Sequence, residues 1–208
     1  MSAYEFSLWK TGARYICGVD EVGRGPLAGP VTAAAVVMPA ASRRNGIADS
    51  KTLSQSKREV LAERIKSKAL SWSVASVDPE KIDEINILQA SLLAMRMAVE
   101  SVTCPIDLVL VDGIHPIPDL NIEQETIRGG DGLSICVGAA SVIAKVERDR
   151  LMSEYDQVYP VYKFAKNKGY PTLEHRRAIH IHGPCEIHRK TFRLLPEGIV
   201  QGTLSFDR

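Results

Sequence analysis

Cysteine is scarce in this sequence: the four present, Cys17, Cys104, Cys136 and Cys185, are widely separated and form no Cys-x-x-Cys pair. That argues against a disulfide framework or a zinc knuckle and suits reduced thiols in a cytoplasmic protein. No apolar run approaches the ~20 residues that span a bilayer, and the opening MSAYEFSLWK lacks the features of a signal peptide. The Gly-x-x-x-x-Gly-Lys-Ser/Thr of a phosphate-binding loop is missing, which excludes that class of nucleotide enzyme. Internal repeats and long low-complexity linkers are missing too.

What remains is the composition of an ordinary globular chain of 208 residues, 45% hydrophobic and 25% charged, enough for one substantial domain. Its net charge of +1 is unevenly spread. Residues 163–193 carry eight Lys or Arg against Glu174 and Glu186, a local excess of +6 that leaves −5 for the rest. A basic segment on an acidic body suits a protein that grips a polyanion with one part and holds cations with another. A solvated basic face is the plain alternative.

β-branched runs predict paired strands over residues 15–22 and 30–38, joined by a Gly/Pro-rich connection. Alternation predicts a strand over 72–77, and IDLVLV at 106–111 reads as a buried central strand. A helix is expected over 54–70, with Ser54 as N-cap or Ser56 and Glu59 as a capping box. Asp78-Pro79-Glu80 reads as the start of another, carrying Ile82, Ile85, Leu88, Leu92, Met95 and Val99 at helical spacing. A third runs from about 138 to 159, and a short last one follows Tyr170-Pro171-Thr172 and stops at Gly183-Pro184. The order of elements predicts an α/β fold, a mixed sheet flanked by helices, with residues 1–160 as the body and 161–208 as a basic helical extension and tail.

The stretch GVDEVGRGPLAG, residues 18–29, ends an apolar run with two carboxylates beside a Gly-Arg-Gly turn. Neighbouring strand residues point to opposite faces, so one of Asp20 and Glu21 faces inward, where an unpaired carboxylate is costly. Asp112 closes IDLVLVD before Gly113, at the kind of strand end where ligands collect in α/β sheets. Asp149 shares a helical stripe with Val142, Lys145, Val146 and Met152. Singly, each is explained as a cap, a turn residue or half of an ion pair, Asp149 with Lys145 for instance. Together, such acids repel one another unless a cation sits among them, and oxygen-only ligands suit Mg²⁺ or Mn²⁺. Two ions ~4 Å apart activate water and stabilise a leaving oxygen in phosphodiester cleavage.

Rival motifs fare worse. In GRGPLAG the third glycine falls one place late, Pro26 intervenes and a strand follows, so a dinucleotide fingerprint is a poor match. His180-Ile-His182 has the look of a metal pair, but four of the five histidines lie in the basic segment, where contact with a polyanion explains them better.

With these residues assembled, the chain closely resembles bacterial ribonuclease HII over nearly its full length. The resemblance rests on GVDEVGRGPLAGPV at 18–31, DSK-x-LS at 49–54, INIL at 85–88, LVDG at 110–113, AASVIAKVERD at 139–149 and KGYPT at 168–172. It implies a ribonuclease-H-like fold and endonucleolytic cleavage of RNA paired to DNA with Mn²⁺ or Mg²⁺, leaving 3′-hydroxyl and 5′-phosphate ends. It places the metal-binding and catalytic acids on Asp20, Glu21, Asp112 and Asp149. It also implies that the backbone of Gly23, Arg24 and Gly25 reads the ribose 2′-hydroxyl, that Tyr170 packs on the next sugar and that Lys51 contacts a phosphate. The partners implied are RNA–DNA hybrids and DNA duplexes with embedded ribonucleotides, met by a monomer.

Three positions depart from the family pattern: Ile114 where Asn often follows Asp-Gly, Gly129-Gly130-Asp131 where Lys-Gly-Asp is common, and Ala48 where Asn often precedes DSK. Asp131 rivals Asp149 as the fourth acid, with the helix stripe and motif favouring Asp149. The tail, Gln201-Gly-Thr-Leu204-Ser-Phe206, resembles the short peptide by which bacterial replication proteins dock on the sliding clamp, with Gly202 in place of the usual Leu. A hybrid-binding module without catalysis is the alternative reading. Four retained acids beside a polyanion argue against it. A phosphohydrolase of small nucleotides leaves the basic segment and the Gly-Arg-Gly turn unexplained.

Overall fold

The computed structural model describes residues 3–10, 12–40, 42, 47 and 53–195. At its centre lie β1 (Ile16–Val22) and β2 (Val31–Val37), antiparallel and buried along most of their length. β3 (Ser71–Val77) adds antiparallel to β2, while β4 (Leu108–Asp112) and then β5 (Gln124–Ile127) add in parallel on the side of β1. The order β3-β2-β1-β4-β5 makes a mixed five-stranded sheet, as the alternation of elements predicts.

The helices are α1 (Ala3–Lys10), α2 (Gln55–Lys66), α3 (Pro79–Glu100), α4 (Gly130–Leu133), α5 (Ile135–Val158), α6 (Phe164–Asn167) and α7 (Leu173–His182). Period-two burial sorts the strands between two cores. Cys17, Val19, Ala33, Ala35, Val109 and Val111 face α3, whereas Ile16, Ala34, Val36, Leu108 and Leu110 face α5 and α2. Gly18 fixes how close α5 comes: a Cβ there would lie 2.2 Å from the backbone of Cys136 and Val137. Each fully buried Leu, Ile or Val on these faces contributes about 1.5–3 kcal/mol, so the sheet and its two long helices form the rigid frame of the site.

Residues after 160 build a third core, in which Tyr162, Phe164, Ala178 and Ile179 pack on Leu27, Ala28 and Met152. This small helical extension therefore sits against the Gly/Pro-rich connection between β1 and β2.

Several details differ from the sequence pattern. The apolar spacing of α3 is continuous, yet Asn86 sits at φ 68° and ψ 164° and breaks the helix. Its Oδ1 accepts from the N–H groups of Leu88 and Gln89, capping the second half. Ser54 and Asp78 do stand at N-cap positions, but neither side chain makes a capping bond. The Ser56–Glu59 box is not formed; Ser56 faces Ser54 and Glu59 accepts from Gln55. β5 escaped the pattern because QETI is a half-exposed edge strand with little apolar content. α5 begins at Ile135, where Ser134 accepts from the Val137 N–H.

Candidate active site

β1 and β4 run parallel with Val19 beside Val111, so one residue further on Asp20 and Asp112 stand together at the C-terminal ends of the two central strands. The partners of Asp20 and Glu21 across β2 are Ala34 and Ala33, whose small side chains leave the carboxylates room. Asp20 points to the α5 side and Glu21 to the α3 side, and the sheet end opens into a cleft on each. The first, of 350 Å³, is lined by Asp20, Glu21, Asp112, Asp131, Arg58, Ser141 and Lys145, among others. The second, of 250 Å³, is lined on the other side by Glu21, Asp112, Arg24, Leu88, Ser91, Ile114 and His115. The kink at Asn86 falls just before Leu88 and Ser91, which places the INIL segment at this second cleft.

Burial, then the charges of Asp112 and Glu21, push the Asp20 carboxyl well above the usual range, against hydrogen bonds from Ser141 and the Glu21 N–H. Burial also raises Glu21, opposed by the Arg24 guanidinium 3.1 Å from its Oε1. Asp112 accepts from the Gly130 N–H at 2.7 Å, which ties the tip of β4 to α4. The charge of Asp112 thus hinders ionisation of Asp20 and Glu21, and a divalent cation removes that conflict. Among the described residues no three His, Cys, Asp or Glu side chains are already drawn into a closed cage. An open bowl of oxygens fits Mg²⁺ or Mn²⁺, since Mg²⁺ keeps several waters and takes its remaining ligands from one or two carboxylates and a substrate phosphate.

The fourth carboxylate on the cleft wall is Asp131, the rival in the sequence reading. Asp149 lies one helical turn beyond Lys145, is 6% exposed, and its Oδ1 accepts from Lys145 Nζ at 2.6 Å. It does not line the cleft. The helix stripe that favoured it is real, but the stripe turns Lys145 toward the cleft and leaves Asp149 behind as its ion-pair partner.

The Gly-Arg-Gly turn borders the same acids. Gly23, at φ 98°, has no room for a side chain: a Cβ would meet Arg148 Nε at 2.2 Å and the Pro30 carbonyl at 2.9 Å. Gly25 is different. It is exposed, has no left-handed φ, and its nearest neighbour in the direction of a Cβ is Tyr170 Cε1 at 3.7 Å, an ordinary contact. Packing within the described residues does not require glycine at 25. Tyr170, 40% exposed, thus stands beside the turn. Lys51 and the tail residues 201–206 lie outside the described residues.

The family model for ribonuclease HII matches residues 17–195. This chain belongs to the ribonuclease HII family. It is 53% identical over 188 residues to the ribonuclease HII of Caldicellulosiruptor saccharolyticus, covering 90% of this chain and 91% of that one. It is 48% identical over 203 residues to that of Endomicrobium trichonymphae, covering 98% and 97%. Among solved structures, the ribonuclease H2 of Pyrococcus horikoshii matches with a TM-score of 0.72 at 26% identity, covering 86% of this chain and 94% of that one. The PCNA:RNase HII complex of Archaeoglobus fulgidus matches with a TM-score of 0.66 at 26% identity, covering 84% and 92%. The chain is accordingly a ribonuclease H with the ribonuclease-H-like fold, acting on RNA paired to DNA.

Ribonuclease HII membership gives the acids their context, but the supports of the turn had no signal of their own in the sequence. Arg189 is one of the eight basic residues first read as a phosphate-gripping excess, and it is fully buried. Lys163 and Lys166 both pair with Glu174. Arg177 and Lys190 remain exposed on the extension. Arg148, also fully buried, lies in AKVERD beside Asp149. Among the described residues neither arginine makes a salt bridge; each donates to backbone carbonyls of the 23–30 connection.

Proposed function

We propose that this ribonuclease H incises DNA duplexes on the 5′ side of embedded ribonucleotides as well as cutting the RNA strand of hybrids. It uses two divalent ions, Mn²⁺ or Mg²⁺, held by Asp20, Glu21, Asp112 and Asp131. The observation that carries this reading is the junction made by Arg24. Its guanidinium holds the Glu21 carboxylate, while its backbone belongs to the exposed turn beside Tyr170. Acid cleft and Gly-Arg-Gly turn therefore meet at Arg24.

When bound, the ions supply Lewis acidity that lowers the pKa of water and takes up charge on the leaving oxygen. The water oxygen joins phosphorus, the P–O3′ bond breaks, and the 3′ oxygen departs as a hydroxyl, leaving a 5′-phosphate. Ser141 orients Asp20, Arg24 orients Glu21 and the Gly130 N–H orients Asp112, so each carboxylate keeps its place as the cleft fills. The N–H groups of the turn read the 2′-hydroxyl, the group that separates RNA from DNA. Tyr170 packs on the following sugar, and Asp149 acts through Lys145. Lys51 and the exposed basic residues of the extension after residue 160 contact phosphates, which position the duplex without reading its sequence.

The test is cleavage of a labelled DNA duplex carrying one ribonucleotide, with Mg²⁺, Mn²⁺ or chelator, beside Asp112→Asn. A metal-dependent cut 5′ to the ribonucleotide, lost in the variant, supports the reading; tight binding without cleavage under either metal contradicts it.

The tail supports a second proposal, docking on a sliding clamp through residues 201–206. One structural relative is itself a complex with PCNA. Titration of a labelled C-terminal peptide against purified clamp tests it, and no binding at high micromolar peptide rejects it.

A further inference from the structure

Two fully buried arginines brace the connection between β1 and β2, and they do different things. Arg148 donates from Nε to the Pro30 carbonyl at 3.0 Å, from Nη2 to Ala28 at 3.2 Å and from Nη1 to Lys168 at 3.0 Å. Arg189 donates from Nη2 to the Gly23 carbonyl at 2.6 Å, from Nη1 to Arg24 at 2.9 Å, and from Nε and Nη2 to Gly29 at 3.0 and 2.9 Å. Its own N–H donates to the Leu27 carbonyl at 2.9 Å, so main chain and side chain both lace it to the turn.

In a trans peptide the carbonyl of one residue and the N–H of the next point in opposite directions. A carbonyl drawn inward therefore turns the following N–H outward. For Arg148 those three N–H groups stay within the protein: that of Gly29 donates to Ile187, that of Gly169 to Asn167 Oδ1, and that of Val31 belongs to a fully buried residue of β2. For Arg189 the two N–H groups are those of Arg24 and Gly25, both exposed residues, and among the described residues neither N–H meets an acceptor. Two successive outward N–H groups form a concavity that receives an electronegative oxygen.

We propose that Arg189 is the positioning residue for ribose recognition: by holding the carbonyls of Gly23 and Arg24 inward, it aims the Arg24 and Gly25 N–H groups at the 2′-oxygen. The assignment rests on the reading above that the turn recognises the ribonucleotide. Arg148 fastens the base of the same connection and aims no free donor. A lysine at 189 cannot serve three carbonyls from one planar fork.

The experiment measures binding of the full chain, in chelator, to a DNA duplex with one ribonucleotide and to the all-deoxy duplex of the same sequence. Wild type, Arg189→Lys and Arg148→Lys are compared after far-UV circular dichroism confirms folding. Two hydrogen bonds to one hydroxyl give the wild type about a tenfold preference for the ribonucleotide duplex. Arg189→Lys loses that preference, whereas Arg148→Lys keeps it even though both variants unfold more easily. Equal loss in both variants, or full retention in Arg189→Lys, overturns the assignment. A wild type without preference rejects the ribose reading itself, and the assignment with it. Nitrogen-15 NMR of the wild type gives the same answer without a substitution. The Arg24 and Gly25 amides shift with the ribonucleotide duplex and not with the deoxy duplex; amides that respond identically to both overturn the proposal.

Discussion

The two halves of the site are built on opposite electrostatic terms. At the sheet end, burial and the neighbouring charge of Asp112 raise the pKa of Asp20 and of Glu21. At the turn a few residues away, Arg148 and Arg189 are buried and, among the described residues, spend their N–H groups on backbone carbonyls rather than on a salt bridge. Burial pulls their pKa values down to about 10 and about 9, the mark of two cations taken from water for the sake of backbone geometry. In the proposed mechanism the catalytic half takes its positive charge from cations, whereas the recognition half is held by hydrogen bonds from within the protein.

The largest effect separates the halves by activity. Asp112→Asn removes a carboxylate from the catalytic half and is expected to lower kcat by about 10³-fold or more while leaving duplex affinity in chelator within about threefold. Single-turnover cleavage and anisotropy titration read the two quantities.

A matched glycine pair then dissects the recognition half. Gly23→Ala places a Cβ against Arg148 and the Pro30 carbonyl at a left-handed φ, and is expected to cost about 2–3 kcal/mol in urea unfolding. Gly25→Ala meets only an ordinary contact, so its stability stays within about 0.5 kcal/mol while cleavage at a single ribonucleotide falls by at least tenfold. Equal stability losses would erase the distinction between a fold glycine and a ligand glycine.

The fourth acid sharpens the catalytic half. Asp131→Asn is expected to reduce kcat by about 10–100-fold, and Asp149→Asn by no more than about tenfold, acting only through Lys145. Reversed magnitudes would return the fourth place to Asp149.

The smallest effect concerns pH and the Tyr170 turn. His175 Nδ1 meets the Tyr170 carbonyl at 2.9 Å, its Nε2 meets His188 Nε2 at 3.1 Å, and the Cys185 N–H donates to His188 Nδ1. With His188 Nδ1 an acceptor, its Nε2–H donates to His175, which leaves the His175 Nδ1–H for Tyr170. Burial lowers both imidazoles, His188 to about 4. The unfolded chain therefore binds protons that the folded one refuses, and stability falls as pH drops from about 6.5 toward 4, by about 1.4 kcal/mol per unit for His188 at most. Above pH 6.5 this contribution is flat. His188→Asn flattens the acid limb in urea titrations at pH 4.5–7; an unchanged limb contradicts the account.

How much of this the sequence contained follows the same division. Asp20, Glu21 and Asp112 were legible because a carboxylate at the end of an apolar strand run is out of place locally. Asp131 was harder, since its position depends on the turn at Gly129, at φ 69°, and on α4 folding back to the tip of β4. A helical stripe could not reveal that, and it pointed instead to a buried ion pair. Arg189 was legible only as positive charge, because its carbonyl partners are about 160 residues away in the chain. The break in α3 was likewise hidden, the apolar spacing running straight through Asn86.

The most direct measurement compares the unfolding free energies of wild type and Asp20→Asn, each in chelator and in excess Mg²⁺ or Mn²⁺. The Asp20 pKa is raised in the folded chain, so at pH 7 its charge costs stability without metal. Asp20→Asn should be more stable than wild type in chelator, and metal should stabilise the wild type alone. A variant less stable in chelator, or stabilised by metal as much as the wild type, would contradict the claim that the acids are held in conflict for the cations.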